Sequence, residues 1–210
     1  LERFPEELTQ LEAEWARQKA QAERPRIALV TFNSQERYLV QRQGGYNTKA
    51  CYSALHGYSW FLDFNQYEGS GWYAKCRVLL KYLETDMYDW VVWTDSDVII
   101  TNFTMKLEWF LEPAADGAPL DIVFTDHSGG VNSGVFMVKN TDFALKFLRD
   151  WIKFEYDGYA WQDNGSLFTH LLRTLHQLRG EPYDDECHHP RMRSVADWLL
   201  PCFNKRVTAL

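Results

Sequence analysis

The chain has 210 residues, enough for one domain of ordinary size. Its net charge of −7 argues against an electrostatic nucleic-acid binder, which needs a surplus of Lys and Arg. Apolar residues at 46% and charged residues at 24% exclude a disordered chain, and the 16% of aromatics suits a core of large rings, a sugar or base platform, or both.

Residues 5–23 read as a polar lead-in helix, with Leu8, Leu11 and Trp15 as a narrow apolar stripe and Pro25 as its stop. Arg26-Ile27-Ala28-Leu29-Val30-Thr31-Phe32 is a compact apolar run ending at Asn33-Ser34, the signature of a buried strand. A helix over 46–56 follows, with Gly57 suited to a left-handed cap, and then a strand over 58–64. Residues 72–83 form a helix with Val78, Leu79, Tyr82 and Leu83 on one side. A third strand over 88–94 runs straight into Asp95-Ser96-Asp97. Beyond it the pattern predicts a helix near 104–111, a loop over 113–119, a strand over 121–125, a Gly-rich turn and a strand over 134–138. Helices over 141–154 and 162–178 follow, and the rest is irregular. Short apolar strands alternating with helices predict a single α/β sandwich domain over 26–210 with a mostly parallel mixed sheet.

No run approaches the ~18 apolar residues of a membrane span, and the first residues lack the basic and apolar regions of a signal peptide. The chain does not open on Met, so a piece of something longer is expected. The four cysteines, Cys51, Cys76, Cys187 and Cys202, form no CxxC pair, which leaves disulfides and buried thiols equally open.

Three segments carry chemistry. Asp95 and Asp97 sit two residues apart where an apolar strand ends, which is where ligands bind in open α/β folds. Carboxylate oxygens there suit a hard divalent cation bridged to substrate phosphates, and solvated turn residues are the bland alternative. Asp126-His127-Ser128-Gly129-Gly130-Val131-Asn132-Ser133-Gly134 joins two apolar strands. Its glycines let backbone approach a ligand, and Asn132 and Ser133 add neutral hydrogen-bonding groups for sugar hydroxyls or a diphosphate. Gln162-Asp163-Asn164 opens a helix, where Asp163 or Asn164 serves either as a cap or, with Gln162, beside a reacting centre.

In this order and spacing the segments resemble the GT-A fold nucleotide-sugar glycosyltransferases, in particular the Golgi family of galactomannan galactosyltransferases, yeast α-mannosyltransferases and xyloglucan xylosyltransferases. The resemblance rests on Trp93-Thr94-Asp95-Ser96-Asp97, on Asp126, Gly130, Asn132, Gly134, Phe136, Val138 and Asn140, and on Leu148, Trp151, Gln162 and Asp163. Upstream, Trp72-Tyr73-Ala74-Lys75 matches the family's "W-x-K" helix start; downstream, Leu200-Pro201-Cys202-Phe203-Asn204 matches its "L-P…F-N" segment. It implies a GT-A-like, Rossmann-like α/β/α sandwich and a retaining transfer of hexose or pentose from a UDP- or GDP-linked donor to a glycan acceptor. Asp95 and Asp97 would hold Mn²⁺ or Mg²⁺, and the ion would offset charge on the departing diphosphate. Thr31 and Asn33 would lie near the nucleoside, and Lys75 near a donor phosphate. Asp95, Ser96, Asp126, Asn132 and Gly134 would line the donor pocket, with Asp163 and Gln162 at the anomeric face. The family also implies a type II membrane-anchored parent working in the Golgi lumen.

The same resemblance leads one to expect a further metal-ligating His beyond Asn204, whereas the sequence stops at Leu210, so a C-terminally truncated domain is expected. His188 and His189 precede the "L-P…F-N" match and are poor substitutes. Two other readings are a catalytically silent carbohydrate-binding relative and a haloacid-dehalogenase-like phosphatase with Asp95 as nucleophile. The triplets Asn102-Phe103-Thr104 and Asn164-Gly165-Ser166 match the glycosylation pattern and are read as chance.

Overall fold

A computed structural model describes residues 24–182, apart from Glu36, 113–116, Ala118, Ser128, Gly129 and 158–161, with Asp126, His127 and Gly130 described by backbone alone. The helix expected over 5–23, His188, His189, Cys187 and the segment 200–204 lie outside the described residues.

Five strands form one mixed sheet: β1 (Ile27–Phe32), β2 (Ser59–Asp63), β3 (Trp90–Thr94), β4 (Ile122–His127) and β5 (Gly130–Lys139). Their spatial order is β2-β1-β3-β5-β4. β1 pairs in parallel with β2 and with β3, and β5 runs antiparallel to both β3 and β4. The parallel block is thus extended by an antiparallel hairpin.

Alternation along each strand sorts the core into two layers. Ala28, Val30, Val91, Trp93, Phe136 and Val138 face one side. They meet Cys76, Val78, Leu79 and Leu83 of α3 (Ala74–Leu83), Phe147, Leu148 and Trp151 of α4 (Asp142–Ile152), and Leu167 of α5 (Gln162–Arg179). Ile27, Leu29, Trp90, Val92 and Met137 face the other side. There they meet Tyr52 of α2 (Gln43–His56), together with Ile100, Phe103, Leu107 and Leu111. The aromatic load is therefore spent largely inside: Trp90, Trp93, Phe136, Phe147 and Trp151 are all buried.

Most elements lie where the sequence puts them, including the left-handed cap at Gly57, whose φ is 72° and whose N–H returns to the Ser53 carbonyl. Two readings are corrected. The helix expected near 104–111 is a short 3-10 turn, Leu107–Phe110, held from outside by the Tyr58 hydroxyl, which accepts from Leu107 N at 3.0 Å. The Gly-rich stretch is mostly strand, because β4 and β5 stay paired as far as His127 and Gly130 through a register shift at Phe124/Thr125. Asn132, Ser133 and Gly134 therefore stand in the sheet beside β3. A short helix, α1 (Arg37–Gln41), buries no residue, and its five residues are too few to carry a periodic signal. Cys51 is exposed and Cys76 buried, both as free thiols.

The connections place the site. The chain leaves β1 for β2 on one side and returns to β3 on the other, so the order reverses between β1 and β3. A crevice at the carboxyl ends of these two strands is the expected ligand position in such a sheet.

Candidate functional site

The crevice is floored by β1 and β3. The Thr31 hydroxyl donates to the Thr94 carbonyl at 2.8 Å and lies 2.7 Å from the Thr94 hydroxyl, which joins the two strand ends. β3 then passes into a tight turn. Asp95 N donates to the Gly134 carbonyl at 2.8 Å, extending the β3–β5 ladder by one step, and Val98 N closes the turn on the Asp95 carbonyl at 3.1 Å. Ser96 and Asp97 form its tip. The Trp93 indole N–H donates to Asp95 Oδ1 at 2.8 Å and fixes that carboxylate. The Asp95 side chain is 39% exposed, and Asp97 is 58% exposed with Arg42 at 3.4 Å. Crowding raises the Asp95 pKa by desolvation, which the nearby Lys75 ammonium opposes.

Behind the turn lies a buried ionic cluster that brings together α3, β5 and α5. Lys75 Nζ lies 2.6 Å from Asp163 Oδ2 and 3.5 Å from Asp95 Oδ1. It donates to the Ser133 hydroxyl at 3.0 Å and the Ser133 carbonyl at 3.1 Å. Ser133 Oγ donates in turn to Asp163 Oδ2 at 2.6 Å. One ammonium thus serves two carboxylates and one strand, and sits 5.6 Å from the Trp93 ring centroid. Next to it Asn164 Oδ1 accepts from Ser133 N at 2.9 Å, which ties the start of α5 to β5. Asn102 instead stands exposed and closes a local turn onto Thr104.

The start of α5 is anchored from below. Ser166 Oγ takes the Trp151 indole N–H at 2.9 Å, lies 2.7 Å from the Tyr73 hydroxyl, and donates to the Asp163 carbonyl at 3.0 Å. Gln162 precedes Asp163 with φ of 47°, a left-handed conformation uncommon for a residue with a side chain, and is itself exposed.

The remaining sequence-predicted residues divide between crevice and scaffold. Lys75, Asp95, Ser96, Asp97, Asn132, Gly134 and Asp163 gather around the strand ends. Asn132 Oδ1 accepts from Gly134 N at 2.7 Å, and a Cβ on Gly134 would fall 2.7 Å from that oxygen and 3.3 Å from Asp95 Oδ2. A side chain at this position would have to displace Asn132. Thr31 and Asn33 are buried, and their polar atoms are spent internally. The Asn33 amide donates to the Tyr46 hydroxyl at 2.6 Å while its oxygen accepts from Gln35 N at 3.1 Å. Asp126 is placed by backbone register opposite Val131. The sequence reading missed Lys49, which is fully buried and donates to the Asp95 carbonyl at 2.6 Å. Burial lowers its pKa to about 8, against the pull of Asp95 and Asp97.

The donor set suits a hard cation. Asp95 and Asp97 offer partly exposed carboxylate oxygens on one turn, and such ions commonly share their coordination with phosphate oxygens and water. Among the described residues no group of three or more His, Cys, Asp or Glu is placed to hold a metal.

The five-stranded α/β sheet thus carries an acidic turn at its switch point. A solved glycosyltransferase, involved in glycosylation of the major capsid of PBCV-1, shares the fold with a TM-score of 0.60 and 13% sequence identity. The match covers 71% of this chain and 78% of that one. Residues 49–195 match the family described as "Protein of unknown function, DUF273", and the chain belongs to that family. Relatives named as glycosyltransferases align along most of the chain. Probable glycosyltransferase 5 of Oryza sativa subsp. indica is 28% identical, covering 73% of this chain and 37% of its own length. Xyloglucan 6-xylosyltransferase 2 of Arabidopsis thaliana is 25% identical, covering 71% of this chain and 35% of its own length. The chain therefore spans little more than a third of the curated relatives it matches.

Proposed function

We propose that this chain is the donor-binding core of a metal-dependent glycosyltransferase that moves a sugar from a nucleotide sugar to a glycan hydroxyl, with retention at the anomeric carbon. One observation carries the reading: an exposed Asp95-Ser96-Asp97 turn at the sheet's switch point, backed by the Lys75–Asp163–Ser133 cluster. Relatives named as glycosyltransferases, among them a xyloglucan xylosyltransferase, support glycosyl transfer as the reaction class.

The chain's residues take distinct roles. Asp95 and Asp97 would hold Mn²⁺ or Mg²⁺, which when bound supplies Lewis-acid neutralisation of charge on a diphosphate. Trp93 and Gly134 orient Asp95 for that task through its carboxylate and its backbone N–H. Lys75 sets a fixed positive charge beside Asp95, and preorganised charge near a developing anion contributes to catalysis without reorganisation. Asp163, only 4% exposed, acts by holding Lys75 and Ser133 in place. Gln162 is the exposed neighbour assigned to the sugar.

Calorimetry with UDP and with GDP, in Mn²⁺ and then in excess chelator, tests the reading. Mn²⁺-dependent binding of one nucleotide is expected, weakened about tenfold or more by Asp97→Ala with the fold intact. No heat for either nucleotide in Mn²⁺ would sink the transferase reading. Binding without release or transfer of sugar from the matching donor would favour the carbohydrate-binding alternative.

A further inference from the structure

The acidic turn does not hold itself up. Its carboxyl side is packed on one face of α2, where three helix residues and the residue before the helix meet it or the residue just past it at i, i+3, i+6 and i+7 spacing. Arg42, just before the helix, lies 3.4 Å from Asp97 Oδ2. Gly45 brings bare backbone against the turn: a Cβ there would fall 2.9 Å from the Ser96 carbonyl and 2.9 Å from the Val98 carbonyl. Thr48 Oγ1 accepts from Ile100 N at 3.2 Å, just past the turn. Lys49, fully buried, reaches the Asp95 carbonyl at 2.6 Å. That carbonyl is the one on which Val98 N closes the turn.

We propose that α2 is the platform that sets the geometry of the Asp95-Ser96-Asp97 turn, with Lys49 as its principal positioning residue. The proposal rests on the donor-binding reading for its consequence, though not for its geometry. A buried ammonium carries a large desolvation cost and stays only where its bonds outweigh it. Here the hydrogen bond is charge-assisted and goes to the turn's own hinge carbonyl, so the charge is spent on the conformation of the turn. Lys49 does not reach the crevice, and its action on a ligand passes through Asp95. Gly45 complements it by letting the helix axis come close enough for the bond to form. The carbonyls it meets are backbone and cannot swing aside.

Two lesions of different kind test the platform. Lys49→Met keeps the stem's bulk and removes the ammonium; Gly45→Ala keeps the ammonium and pushes the helix away. Hydrogen exchange in a peptide spanning residues 94–100 reads the turn directly, since Val98 N is bonded to the Asp95 carbonyl. Exchange about tenfold faster there is expected in both variants, with peptides from α4 and α5 unchanged. In parallel, the apparent Kd for Mn²⁺ with UDP, or with GDP if that is the nucleotide bound, should rise about tenfold or more. If Lys49→Met fails to fold, Gly45→Ala carries both measurements. Wild-type exchange in residues 94–100 in the folded variants overturns the platform. Faster exchange with unchanged Kd overturns Lys49 as a positioning residue for the ligand. If the wild-type protein binds no nucleotide in Mn²⁺, the donor reading fails by itself and exchange alone decides whether α2 sets the turn.

Discussion

Lys75→Met is the most informative single change, because it removes the cation of a buried pair and leaves a carboxylate behind. Lys75 and Asp163 have side chains 6% and 4% exposed and lie 2.6 Å apart. Removing one partner of such a pair typically costs about 3–5 kcal/mol, since the survivor stays buried and uncompensated. Ser133 Oγ still donates to Asp163 at 2.6 Å, which sets the expectation at the lower end, about 3 kcal/mol. For a domain of this size that corresponds to a fall in Tm of about 6–12 °C. Pairing the change with Asp163→Asn separates lost charge from lost packing. The double variant should be more stable than Lys75→Met alone, with a coupling energy of about 2 kcal/mol or more. Urea unfolding followed by circular dichroism and tryptophan fluorescence gives all four corners of the cycle. A cost below about 1 kcal/mol for Lys75→Met, or simple additivity in the double variant, would refute the buried-pair argument.

Two further changes probe other parts of the fold. His170 is buried against Phe147, with ring centroids 4.2 Å apart and Nε2 2.9 Å from the Phe147 carbonyl. Burial lowers its pKa to about 4, while the unfolded chain takes up that proton near 6.5. Between those values the unfolded state binds more protons, so stability is full above about pH 6.5 and is lost as pH falls toward 4, by about 3 kcal/mol from this residue. Unfolding at about pH 7 and about pH 4.5 should therefore show a smaller difference in His170→Phe than in wild type, and equal differences would count against the assignment. Gly134→Ala places a methyl 2.7 Å from Asn132 Oδ1 and 3.3 Å from Asp95 Oδ2. Both contacts are with side chains that can move, so a stability loss of only about 1 kcal/mol is expected, while Mn²⁺-dependent nucleotide binding should weaken about tenfold or more. Retained affinity would show that the Asn132–Asp95 approach is incidental.

The Asp95-Ser96-Asp97 turn was legible because an apolar strand that ends in two carboxylates says locally where the sheet stops. Lys75 and Asp163 were each visible as candidates, yet their partnership spans 88 positions and depends on α3 and α5 meeting at β5. Spacing along the chain carries no trace of that. The sequence reading sent Lys75 to a donor phosphate and Asp163 to the anomeric face; the structure brings their side chains onto each other and onto Ser133.

Thr31 and Asn33 show a second role that the sequence does not announce. A polar residue at the carboxyl end of a strand reads as a ligand contact, but the same position must also tie off backbone and hydroxyl groups that the sheet no longer pairs. Thr31 bonds across to Thr94, and Asn33 bonds to Tyr46 and Gln35, so both side chains brace the strand end. Lys49 was passed over for a related reason. In a helix whose other buried residues are Gly45, Tyr46, Tyr52 and Ser53, a lysine reads as the exposed side, and nothing local marks it as inward. Its place is decided by the glycine one turn earlier, which brings the helix backbone within reach of the Ser96 and Val98 carbonyls. Once the helix sits that close, a long cationic stem is needed to answer the carbonyl that closes the turn. A Gly and a Lys four residues apart are common in any sequence, and their meaning here comes from what crosses above them.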